Sequence, residues 1–157
     1  MNKLILSLVA GLGATLAIGV LSYAEVSLTE VVLLMAPFGA TAVLVFGVPS
    51  SPLAQPKNVI IGHFITASIG IAFSQYVEIT PITLAIATGL GVSAMLITKT
   101  THPPAGANPI LIMASGQGWS FLFTPVLIGA VVIVLVGKAL QLLQSQYLSP
   151  RLNGQKT

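Results

Sequence analysis

Charge is what this sequence most conspicuously lacks: six Lys/Arg and three Asp/Glu in 157 residues amount to 6%, where a soluble domain carries about a quarter. Nine charged side chains cannot coat the surface of a soluble core of this length. With 55% hydrophobic residues and a mean hydropathy of +0.99, lipid must cover most of the chain. Cysteine is absent, which excludes disulfides, thiolate metal sites and a cysteine nucleophile. Acidic residues are confined to Glu25, Glu30 and Glu78, outside the apolar runs. The two histidines, His63 and His102, have no carboxylate or third ligand nearby in sequence. No triad, phosphate loop or metal motif is present, so neither an enzyme nor a cofactor is expected. The net charge of +3 is scattered between apolar runs rather than gathered on one face, which speaks against nucleic acid.

What is present is apolar length. Runs from about Leu4 to Ser22, Val31 to Val48, Val59 to Val77, Ile82 to Thr98, Pro103 to Gly118 and Leu122 to Leu143 suggest six membrane segments. A spanning helix needs about 20 residues, which the first, third, fourth and sixth runs supply. The second contains Ala36-Pro37-Phe38-Gly39 and the fifth opens on His102-Pro103-Pro104-Ala105-Gly106. Proline removes backbone donors and disfavours helix just upstream, so both predict broken or half-length helices. The first run also has a signal-peptide reading, with Lys3 ahead of it and Ser22-Tyr23-Ala24 behind. It exceeds the usual signal core of roughly 7–15 residues, so the segment is expected to be retained.

A repeat organises these segments. Residues Pro37 to Phe46 match Pro104 to Met113 without gaps, an offset of 67 that also lays Val59-Ile60-Ile61-Gly62 on Val126-Leu127-Ile128-Gly129 and Gly70 on Gly137. Gly11-Leu12-Gly13-Ala14-Thr15 resembles Gly89-Leu90-Gly91-Val92-Ser93. The expected fold is all-α: a polytopic membrane bundle of one domain over 1–157, with repeat 1 at about 4–77, repeat 2 at about 82–143 and a cytoplasmic tail over 144–157. Each half reads as helix, broken helix, helix.

Charge orients them, because cytoplasmic loops hold the Lys/Arg excess. If all six segments cross, Lys3, Lys57, Lys99, Arg151 and Lys156 fall inside and Glu25, Glu30 and Glu78 outside. Re-entrant broken segments would reverse Lys57, Glu78 and Lys99. Three crossings per half make the halves inverted, with both termini cytoplasmic. Inverted repeats with discontinuous helices are a signature of secondary transporters, whose site lies near the midplane.

A broken helix exposes N–H groups carrying about half a positive charge, an anion site without lysine. Gly39, Ala40 and Thr41 in one half and Gly106, Ala107 and Asn108 in the other are expected to face each other. Tight helix packing is the alternative reason for small residues there. His63 lies within an apolar segment, where ionisable groups are usually internal and functional; it could hydrogen-bond an anion or carry a proton. His102 could order its loop or gate the pathway. Lys57 and Lys99 could draw anions to the inner side or serve only as topology anchors.

The run from Ala36 to Leu44, the proline-rich stretch Phe46 to Ile60, Gly62-His63 and Thr101-His102-Pro103-Pro104-Ala105-Gly106-Ala107 resemble the HPP family of integral membrane proteins. The resemblance covers about Ala36 to Leu135. It implies a transporter, and family members of chloroplast and cyanobacterial type imply nitrite as the substrate. The expected location is a bacterial inner membrane. The site residues it implies are Pro37, Phe38, Gly39, Ala40, Thr41, the loop from Pro49 to Asn58, His63, His102, Pro103, Pro104, Ala105, Gly106 and Ala107, to which the internal repeat adds Asn108 as the position equivalent to Thr41. Asn108-Pro109 departs from the small or hydroxyl residues expected after Gly-Ala. Members are often described as having four spans, whereas the hydropathy here adds two broken ones. The expected partners are lipid, the anion and further copies of the chain, since about six segments enclose a pathway only tightly. The competing expectation is a scaffold or regulatory subunit that transports nothing itself.

Overall fold

The computed structural model describes residues 3–28 and 31–148. Glu30, Arg151 and Lys156, three of the residues that orient the chain by charge, lie outside the described residues, as does most of the expected tail.

The described residues are helical and contain no strand. Helix α1 is Lys3–Ser27, α2 is Pro37–Ala42 followed by a π turn Val43–Gly47, and α3 is Pro56–Tyr76. Helix α4 is Pro81–Ile97, a 3-10 turn Pro103–Ala107 leads into α5, Asn108–Ser115, and a π segment Leu122–Leu127 leads into α6, Ile128–Leu148. Proline starts most of them: α2, α3, α4, α5 and the 3-10 turn carry it at their first or second position, where its missing N–H would be unpaired anyway. Thr80 adds a reciprocal cap with Thr83 at the start of α4. Gly116 ends α5 with φ 64°, a left-handed conformation that glycine adopts without a Cβ clash.

Among the described residues, three helices are long and apolar enough to cross a membrane: Lys3–Ser27, Pro56–Tyr76 and Leu122–Gln146. Helix α4 has 17 residues, about 25 Å at the usual rise, so it is less ample a span than its hydropathy suggests. The second and fifth segments are indeed broken. Residues 31–35 have no regular structure before α2 begins, and α5 has eight residues beyond its 3-10 turn. The sixth segment also departs from a regular helix. Thr124 is non-helical (φ −127°, ψ 115°) and the Thr124–Pro125 peptide is cis.

Irregular backbone in an apolar setting needs hydrogen-bond partners. The Glu25 carboxylate supplies them for the second segment, accepting the N–H groups of Leu33 and Leu34 at 2.7 Å each. Asn58 does so for the fifth, donating from Nδ2 to the Thr101 carbonyl at 2.9 Å.

Helix α3 lies at the centre, packed on α4, α5 and the 3-10 turn, and also against α6 and its π segment; α1 packs on α6. The buried apolar core includes Leu21, Phe38, Ala67, Ile71, Ile112, Val126 and Ile133. Close packing recurs at the repeat offset. A Cβ on Gly62 would lie 2.9 Å from the Thr100 carbonyl, and one on Gly129 would lie 3.2 Å from the Leu33 carbonyl. Likewise Gly70 packs on Pro109 and Ile112, and Gly137 on Val45. Leu33 and Val45 each stand 67 positions before Thr100 and Ile112. Helix α3 thus lies against the irregular segment 100–112, and α6 against the segment 33–45.

Candidate functional site

Among the described residues, six polar side chains are buried: Thr41, His63, Thr66, Thr100, His102 and Asn108. Buried polar groups cost free energy unless they are hydrogen-bonded, and four of them satisfy one another in a line. Thr41 on α2 places Oγ1 2.8 Å from Nε2 of His63 on α3, and 3.0 Å from Nε2 of His102, which precedes the 3-10 turn. Asn108, the first residue of α5, places Nδ2 3.0 Å from Nδ1 of His63. His102 Nδ1 is 2.8 Å from the Leu53 carbonyl. The rings of His63 and His102 lie 5.0 Å apart, edge to face, and Phe38 meets His63 edge-on at 5.5 Å.

The neighbouring atoms define the hydrogen positions. Asn108 Nδ2 also faces the His63 carbonyl at 3.1 Å and Thr66 Oγ1 at 3.0 Å. A carbonyl only accepts, so the amide nitrogen is the atom turned toward it. His63 Nδ1 therefore accepts from Asn108 and its hydrogen resides on Nε2. His102 donates from Nδ1 to Leu53, leaving Nε2 bare. Thr41 receives from His63 and gives to His102, with the Pro37 carbonyl a further acceptor at 3.1 Å. Asn108 Oδ1 is buried without a partner.

Local sequence explains this convergence. Gly62 lets the 100–102 segment close on α3, since a Cβ there would lie 3.1 Å from that of His102. The small residues around Thr41 let α2 approach the 3-10 turn, and a groove of about 400 Å³ runs between them, lined by Ala36, Pro37, Ala40, Pro103, Pro104, Ala107, Ile110 and Leu111.

Of the residues proposed from sequence, Thr41, His63, His102 and Asn108 meet directly, and Pro37, Phe38, Pro104 and Ala105 are buried around them. Gly39, Ala40, Pro103 and Ala107 are exposed, and Gly106 is half-buried. A Cβ at Gly39 or Gly106 would meet nothing within 4 Å, so neither glycine is there for close packing within one chain. The N–H groups of Phe38, Gly39 and Ala105 bond the Met35, Ala36 and His102 carbonyls. The polar centre is thus built of side chains, with His63 as the bridge between Thr41 and Asn108. Lys57 and Lys99 are exposed. Sequence reasoning missed Thr66, Thr100, Asn58 and Glu25. Thr66, three residues after His63, shares its helix face, a spacing that was legible; the Glu25 contact crosses an irregular loop and left no local mark.

An all-helical membrane protein with a buried, hydrogen-bonded imidazole pair is the class these features define. Residues 2–148 match the family model described as the HPP transmembrane region, and the chain belongs to that family. It is 36% and 35% identical, over 128 residues in each case, to two transmembrane proteins of Dictyostelium discoideum. Each alignment covers 76% of this chain, which spans 45% and 41% of the lengths of those curated relatives. No solved structure matches the chain significantly.

Proposed function

We propose that the protein carries a small monovalent anion, nitrite foremost, across a bacterial inner membrane, along the seam where the two Pro-x-Gly-Ala bends meet beside His63. One observation carries the reading: Thr41 and Asn108, at matching places in the two motifs, flank the two ring nitrogens of a single buried histidine. An anion leaving water needs hydrogen-bond donors to replace its hydration, and this cluster offers hydroxyl, amide and imidazole groups. Nitrite itself comes from the family resemblance.

Inverted halves with cytoplasmic termini suit this pathway, since three segments per half reverse the second half relative to the first. The paired contacts of Gly62 with Thr100 and Gly129 with Leu33 support that symmetry. Lys57 and Lys99 would gather anions on the inner side. Further copies of the chain would cover the exposed faces of α2 and the 3-10 turn, because irregular backbone at membrane depth must be buried in protein.

A scaffold subunit is the second reading, and a groove of about 260 Å³ beside Gly11, Gly39 and Gly47 favours it by offering room for a partner helix. Uptake of nitrite into proteoliposomes holding the purified protein, with chloride as control, separates the two. Transport predicts uptake that falls in Ala40→Val and Ala107→Val, whose larger side chains would fill the groove along the seam. Folded protein that takes up nothing under any imposed gradient would favour the scaffold.

A further inference from the structure

We propose that His63, Thr41 and His102 form a proton relay, so that one proton accompanies each anion; this deepens the transport reading and rests on it. The hydrogen bonds run in one direction, from Asn108 through His63, Thr41 and His102 to the Leu53 carbonyl. Every link between the two histidines is 2.8–3.0 Å, within proton-transfer reach. A hydroxyl that bridges two ring nitrogens can take a proton from one as it gives its own to the other.

The step balances. A proton arriving at His63 Nδ1 allows the Nε2 hydrogen to pass to the Thr41 oxygen. The Thr41 hydrogen passes to His102 Nε2, and the Nδ1 hydrogen of His102 passes to water on the Leu53 side. One proton enters, one leaves, and no net charge stays in the buried centre.

No other ionisable group faces the relay among the described residues. Helices α2, α4 and α5 contain none. On α6, Lys138 bonds Gln141 on an exposed face, and Lys57 on α3 is exposed. The two histidines therefore see chiefly each other, and a monovalent anion moving with one proton crosses without net charge.

The test is nitrite uptake into proteoliposomes with a trapped pH dye, protein-free vesicles being subtracted to remove passive entry of nitrous acid. Wild type should acidify the lumen by one proton per nitrite, and an acid exterior should drive uptake while a membrane potential does not. Thr41→Ser keeps the hydroxyl and should keep that ratio. His102→Gln keeps hydrogen-bonding atoms but cannot pass a proton; the folded variant should lose proton-driven uptake by about tenfold or more. Nitrite entry without protons in wild type, or full coupling in His102→Gln, overturns the relay and leaves transport standing. Absence of any uptake by folded wild type overturns both.

Discussion

Helices α3 and α6 meet the irregular segments 100–112 and 33–45 at two junctions that share a geometry and differ in chemistry. At the first, His63 and Thr66 face a segment carrying Thr100, His102 and Asn108. At the second, the positions matching His63, Thr66, Thr100 and His102 at the repeat offset are Ala130, Ile133, Leu33 and Met35, all buried. Apolar side chains evidently suffice to build such a junction. Buried polar groups are costly to assemble, so the polar set at the first calls for a role beyond the fold, which the proposed transport would supply. Thr41 is the exception: it belongs to the second junction's segment yet reaches His63 and His102.

The shared geometry can be broken most severely at its closest approaches. A Cβ on Gly70 would lie 2.8 Å from the Pro109 backbone, and Gly70→Val should cost about 3 kcal/mol by overpacking, read as a lowered Tm in detergent. Gly137→Val meets the Val45 side chain, which can give way, so its loss should be smaller. The supports of the two irregular segments come next. Removing the carboxylate in Glu25→Ala strands the Leu33 and Leu34 N–H groups and should cost about 2 kcal/mol, with Glu25→Gln recovering part of it. Asn58→Ala removes one neutral bond from the polar junction and should cost about 1 kcal/mol in the same assay. Equal losses for Glu25→Ala and Asn58→Ala would contradict a charge-supported second segment. At the bottom of the scale, Gly39→Ala and Gly106→Ala face open space and should shift stability by no more than about 0.5 kcal/mol.

Much of the architecture was legible because proline and glycine mark it. Pro37 and Pro103-Pro104 announced the two broken segments. Pro125 was equally visible, but it lies in so long an apolar run that hydropathy masked the break at Thr124. Thr41 and Asn108 could be expected to face each other, yet their convergence on His63, and the meeting of Thr41 with His102, could not be read. Both depend on Gly62 admitting the 100–102 segment and on α2 bringing Thr41 to both histidines, contacts between residues 22 or more positions apart that have no local pattern. Glu25 was legible only as a loop charge, because its N–H partners sit on irregular backbone.

Nitrite uptake by Thr41→Val, compared with wild type at equal amounts of folded protein, tests the central claim that the polar junction is the transport site. Valine keeps the volume and removes the hydroxyl shared by His63 and His102. Uptake should fall about tenfold or more, the equivalent of one buried hydrogen-bonding group left unpaired. Uptake unchanged from wild type would contradict the account, because the junction's polar chemistry would then be irrelevant to transport.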